Sequence, residues 1–127
     1  MESLARLMIT SDHLTSSQIT DFIGFAGDNI WNAGDSKADA KVVESDSGLV
    51  FESRLARSLD LSFHIGSIMS RLKGAERELL SFSALSGCEI QLSCVVYSDS
   101  APPLNFEKAV MRWVGDIGAS LDIDLYL

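Results

Sequence analysis

Near the end of the chain, Asp122 and Asp124 stand one residue apart in the alternating stretch Ala119-Ser120-Leu121-Asp122-Ile123-Asp124-Leu125-Tyr126-Leu127. In a strand they share a face, with Cα atoms ~6.6 Å apart. Such a carboxylate pair can hold a divalent cation or divide into a general acid and a general base. A metal ordinarily takes roughly three or four protein ligands, and the sequence places no histidine or further carboxylate beside them. What remains is a charged face. It either meets a partner or keeps a terminal strand from pairing edge to edge.

The second candidate is Trp31-Asn32-Ala33-Gly34-Asp35, a large apolar ring inside a run of turn-forming residues. Gly34 allows a positive φ or a close backbone approach, and the Asp35 carboxylate can tie the turn. Trp31 then lids the core or lines a ligand or partner contact. Tyr97 and Asp99 form the third candidate, closing a long strand beside the Pro102-Pro103 loop, where a strand-end loop can carry a binding site.

The remaining reactive side chains point away from catalysis. Cys88 and Cys94 fall on one face of a single strand with Ile90, Leu92 and Val96. Six residues of extended chain separate them by ~20 Å, too far for a disulfide. They read as small buried hydrophobes in a reducing cytoplasm. His64 lies off the apolar stripe of its segment and reads as a surface residue. His13 has only Asp12 beside it, too little for zinc. Gly24-Phe25-Ala26-Gly27-Asp28 is neither a P-loop nor a dinucleotide fingerprint, and no Gly-x-Ser-x-Gly elbow is present. No catalytic residue, cofactor site or metal site is assigned, and enzyme activity ranks last.

The elements that must position these residues follow from periodicity. A strand is expected over Leu4 to Thr10. Thr15-Ser16-Ser17-Gln18 is a capping box, Leu14 and Ile19 form its hydrophobic staple, and the stripe runs on through Phe22 and Ile23 to a stop at Gly24. Residues 24–39 read as loop. Ala40 to Glu44 and Leu49 to Ser53 read as a hairpin around Asp46-Ser47-Gly48. Leu61, Ile65, Ile68, Met69 and Leu72 give a helix over 60–72 that ends by Gly74. A second helix over 75–84 turns Leu79 and Phe82 inward, with Leu80 a further candidate for the same side. A long strand covers 88–97. After the prolines, Phe106, Ala109, Val110, Trp113, Val114 and Ile117 mark a helix over 105–117, stopped by Gly118. In the closing strand Ala119, Leu121, Ile123, Leu125 and Leu127 face the core, while Ser120, Asp122, Asp124 and Tyr126 face outward.

This order predicts one α+β domain over 1–127, a two-layer sandwich with a mostly antiparallel sheet of about five strands and helices on one face. Its first part has the order of a ferredoxin-like split β-α-β unit, extended by a C-terminal helix and strand. Composition agrees. The 127 residues are 46% hydrophobic and 22% charged, so the chain is globular and not disordered. A formal charge of −8 disfavours nucleic acid and anionic membrane surfaces. No apolar run approaches membrane-spanning length, and the opening residues lack a signal-peptide pattern.

Several motifs together are similar to one bacterial family. They are Ile9-Thr10 with Leu14, then Gln18-Ile19-Thr20, Trp31-Asn32-Ala33-Gly34-Asp35 and Tyr97-Ser98-Asp99. Gly118-Ala119-Ser120-Leu121-Asp122-Ile123-Asp124-Leu125-Tyr126 closes the set. The chain resembles domain of unknown function 4279 over nearly its whole length. It departs at Ser16-Ser17, where many members open the helix with proline and acidic residues, and over 36–48, which lacks the usual second tryptophan. The resemblance implies a small cytoplasmic α/β protein and no particular reaction. The expected function is a non-catalytic protein-binding module, immunity-type or accessory, meeting a basic partner as monomer or homodimer. The alternative is a small-molecule-binding or regulatory domain with a pocket near Trp31.

Overall fold

The computed structural model describes residues 1–36 and 42–127. Along the chain run β1 (Glu2–Ser11), α1 (Ser16–Ile23), β2 (Asn29–Trp31), β3 (Ser47–Glu52), α2 (Leu61–Arg71), α3 (Glu76–Ser83), β4 (Cys88–Tyr97), α4 (Lys108–Asp116) and β5 (Ser120–Tyr126). Among the described residues these make a mixed α+β fold, an open sheet of five strands with four helices. No helix of the described residues is long and apolar enough to cross a membrane.

The sheet order is β2-β3-β1-β4-β5. The central strand β1 is antiparallel to both neighbours, with Leu7 opposite Phe51 on one side and Leu92 on the other. β2 pairs antiparallel with β3. β4 and β5 are parallel, which requires a crossover between them, and α4 supplies it. Alternation along β1 buries Ser3, Ala5, Leu7, Ile9 and Ser11. Of these, Ala5, Leu7 and Ile9 join Leu49, Phe51, Ile90, Leu92 and Cys94 in one core cluster. Ile19 and Ile23 of α1, Ile65 and Ile68 of α2, Leu79 and Phe82 of α3, and Val110 and Trp113 of α4 fill the same cluster. The helices therefore cover one face of the sheet, and no helix covers the other, on which Val50, Ser93 and Val95 are buried among their strand neighbours.

Local chemistry explains most of the boundaries. Thr15 accepts a hydrogen bond from the Gln18 amide, and the Gln18 side chain accepts one from the Thr15 amide, closing the capping box. Gly24 then stops α1 at φ 82. β4 occupies 88–97 as its alternation predicts.

Four expectations are corrected. The partner of β3 is β2, drawn from the stretch expected to be loop, rather than a strand over 40–44. Of that expected strand, Ala40 and Lys41 lie outside the described residues, and the rest contributes an isolated bridge between Ser36 and Val43. α4 begins at Lys108 instead of Asn105, because the prolines at 102 and 103 hold an extended backbone that persists to the N-cap Glu107. Phe106 still packs against the core from outside the helix. Phe22 is 40% exposed although its spacing fits the stripe of α1. In β5, Leu121 packs against the core, but Ile123 and Leu125 are exposed. They lie on the helix side of an edge strand, beyond the reach of α4.

Candidate functional site

The open face can be read row by row from the strand register. Trp31 of β2 lies beside Gly48, then Thr10 and Glu89. Glu52, Arg6, Ser93 and Asp122 form a second row. Leu4, Val95 and Asp124 form a third, and Glu2, Tyr97 and Tyr126 a fourth. Residues far apart in sequence are thus neighbours at about 4.8 Å strand spacing. Trp31, Tyr97, Asp122 and Asp124 all belong to this one face. Glu2, Glu52, Glu89, Asp122 and Asp124 give it a strongly negative character, with Arg6 its basic residue.

At one end Tyr97 and Tyr126 stack across β4 and β5, ring centroids 5.0 Å apart and planes 19° from parallel. Both rings are exposed. Tyr126 was legible as a site residue, since it shares the polar face of Asp122 and Asp124 in the last strand. At the other end Trp31 lies flat over Gly48. A Cβ built there would stand 2.7 Å from the Trp31 Cη2 and 2.9 Å from the Ile9 carbonyl oxygen. The absence of a side chain at Gly48 is what lets the indole lie down.

Asp35 and Asp99 are not part of this face. The Asp35 carboxylate accepts from the Asn32 amide at 2.8 Å, and the Asp35 carbonyl accepts from Glu44 at 2.8 Å. It ties the turn after β2. The Asn32 side chain in turn accepts from the free amide of Ser16 at the start of α1. Asp99 is exposed just past β4, beside Ser98, whose amide donates to the Tyr126 carbonyl.

Three groups escaped the sequence reading. The first is Asp28, inside the expected loop. Its carboxylate is 7% exposed and accepts from Arg71 Nη1 and Nη2, each at 2.5 Å, from Arg54, and from the Glu52 amide at 2.7 Å. The Arg71 hydrogen bonds lead in holding its pKa down at about 2, against the opposing effect of burial. The Arg71 guanidinium also lies over the Phe51 ring at 5.3 Å.

The second is His64, which is fully buried and not on the surface as expected. Its Nδ1 lies 2.5 Å from Ser53 Oγ. Burial pushes its pKa below the ordinary 6.5, with the Leu59 and Ala56 carbonyls opposing. The residue sits off the helical stripe because it faces the 54–59 segment, a neighbour that periodicity does not reveal. The third group is Arg54 and Arg57 on that same segment, which face Arg6 across a small bowl.

The thiols are quiet. Cys88 and Cys94 are free and buried, and burial, followed by the Asp122 charge, pushes the Cys94 pKa up to about 12. Among the described residues no three His, Cys, Asp or Glu side chains gather as metal ligands. Ser53 and His64 touch, and both are buried, so their bond ties the segment after β3 to α2. A cavity of about 480 Å³ opens between α2 and α4, walled by Leu61, Ile65, Met69, Phe106 and Val110, with Asp60 and Glu107 among its polar groups. Trp31 is not among its walls.

Compared with known proteins, the whole chain, residues 1–127, matches the family model described as Domain of unknown function (DUF4279). No curated protein and no solved structure matches.

Proposed function

Starting from a chain that belongs to the DUF4279 family, we propose that it is a non-catalytic protein-binding module whose open sheet face receives a basic partner. The observation that carries this reading is the shared face itself. Trp31, Tyr97 and Tyr126 supply aromatic anchors at its two ends, and carboxylates fill the ground between. Four strand spacings by eight residues of strand give a patch of roughly 500 Å², somewhat below one side of a standard interface. Aromatic anchors supply contact energy there, and the carboxylates steer a positive surface toward them. An immunity-type or accessory role in a bacterial cytoplasm fits such a module. The strand order β2-β3-β1-β4, with β1 antiparallel to both neighbours, supports reading its core as ferredoxin-like, extended by α4 and β5.

The test is capture of a basic protein at low salt by the tagged chain, repeated with two charge reversals. Asp122→Lys with Asp124→Lys removes capture and flattens its salt dependence. Asp116→Lys, on the exposed surface of α4, leaves it intact. Equal loss in both variants, or recovery of the bare chain, overturns the proposal. A second reading, a small-molecule-binding domain, is favoured by the cavity between α2 and α4, whose walls do not include Trp31. Hydrophobic amines complementary to Asp60 and Glu107 would then raise the melting temperature by mass action.

A further inference from the structure

A chain with 18 acidic and 10 basic side chains has little reason to gather arginines, yet three converge at one place. Arg6 of β1 and Arg54 and Arg57 of the segment after β3 ring a cavity of about 200 Å³, with Glu52 and Ser53 in its wall. We propose that this bowl is a binding site for a small oxyanion, a phosphate or carboxylate group. The bowl shares Arg6 and Glu52 with the open face, but the proposal does not depend on the protein-binding reading.

Three observations converge. The first is that the arginines are under-used. The register sets Arg6 beside Glu52, but the two form no ion pair, and Arg6 Nε is buried with no hydrogen-bond acceptor. Arg57 makes no ion pair among the described residues, and Arg54 meets Asp28 through Nη2 alone. Guanidinium forks left open in this way match the paired oxygens of phosphate and carboxylate, and a rigid planar donor suits them better than an ammonium.

The second observation is that the bowl is held in place before any ligand arrives. The Ser3 amide donates to the Arg57 carbonyl at 2.8 Å, and the Ser3 hydroxyl donates to the Leu59 carbonyl at 2.8 Å. Ser67 Oγ donates to the Ser53 carbonyl at 2.9 Å, and His64 meets Ser53 from below. Asp28 fixes the Glu52 amide and the Arg54 side chain together. A loop ordered this thoroughly loses little freedom on binding.

The third is backbone strain at the same spot. Arg54, at φ 59, is the one non-glycine residue in the left-handed region among the described residues. A side chain held there against its preference is found where surrounding structure over-determines it, often at ligand sites. The cavity is also small. At 200 Å³ it falls below the range of drug-sized pockets and fits a single anionic group.

The experiment is an NMR titration of the full chain, following the arginine Nε–Hε resonances and the amides of residues 53–57. Sodium phosphate and sodium acetate are added separately at constant ionic strength, with chloride as the reference. Saturable shifts centred on Arg6 with either oxyanion support the site, and the one that saturates at lower concentration identifies phosphoryl or carboxylate preference. Two substitutions then move the affinity in opposite directions. Arg57→Gln, at an exposed side chain whose backbone bond to Ser3 survives, weakens binding about tenfold, the loss expected for one charge-assisted contact. Glu52→Gln removes the like charge from the wall and tightens binding, a result that general loosening of the fold cannot produce. Linear drift without saturation for both anions, or affinities untouched by both substitutions, would overturn the proposal.

Discussion

Replacing Asp28 by asparagine keeps the shape of the side chain and removes its charge, which isolates the electrostatic part of the network it anchors. In the folded chain the Asp28 pKa falls from the ordinary 3.8 to about 2. At about 1.4 kcal/mol for each tenfold change in proton affinity, that is worth roughly 2.5 kcal/mol at neutral pH. The sign follows from linkage. A carboxylate with a depressed folded pKa contributes fully above the unfolded value, and the contribution fades as pH falls through the folded one. It is therefore complete above about pH 5, close to half at pH 3 and nearly gone at pH 2. Arg71, 28% exposed, keeps a 3.3 Å bond to the Glu52 carbonyl and its stacking on Phe51, so Asp28→Asn stays near this figure. Asp28→Ala also strands the Glu52 amide and rises to about 3–5 kcal/mol. Urea titrations of parent and Asp28→Asn at pH 7, 4, 3 and 2 read the difference directly. A deficit below about 1 kcal/mol at pH 7, or one that does not shrink on acidification, refutes the electrostatic account.

Further outcomes follow from the same geometry. Gly48→Ala drives a methyl group into the Trp31 ring and the Ile9 carbonyl. It lowers stability by about 1–3 kcal/mol and shifts Trp31 emission to the red, and Trp31→Ala in the same chain recovers part of the loss. His64, buried and held neutral, gives a stability that is full above its unfolded pKa of 6.5 and declines as pH falls below it, until the lowered folded pKa is reached. The slope in that window is at most about 1.4 kcal/mol per pH unit, and His64→Gln flattens it in thermal melts between pH 7 and 5. Tyr126→Ala removes the stack on Tyr97 and costs about 0.5–1.5 kcal/mol in the same melts.

Elements specified by their own residues were legible. The capping box at Thr15–Gln18, the alternation of 88–97 and the stripe of α2 each carry their signal within a dozen residues. What escaped depends on partners distant in sequence. β2 is three residues long and lies among turn formers, so it is the pairing with Gly48, Leu49 and Val50 across the ladder that makes Asn29–Trp31 a strand. His64 is buried by a segment that returns from β3, and Asp28 by an arginine 43 residues away. The alternation of β5 reads the same whether its apolar side is covered or bare, and the limit of α4 decides that. The site follows this division. Trp31, Tyr97, Asp122 and Asp124 could be singled out as candidates from residue type and local pattern, but their shared face required the sheet, and the arginine bowl required the fold, because Arg6 and Arg57 meet only when the 54–59 segment lies along β1.

The central place of β1 also bears on how the chain reaches this state. Its ladder to β3 closes first at Ser11 and Ser47, while its ladder to β4 closes first at Ser11 and Cys88. The second pairing therefore closes a loop more than twice as long as the first. The added closure entropy is small, on the order of 0.6–1 kcal/mol. The larger effect is on timing, since pairings of such high sequence separation place folding among the slower domains of this size. Until residues 88–97 dock, β1 presents a hydrophobic edge of ten residues with its amides and carbonyls unmet. Substitutions in β4 that slow docking, even those that spare final stability, will lengthen the life of that edge and raise aggregation during refolding.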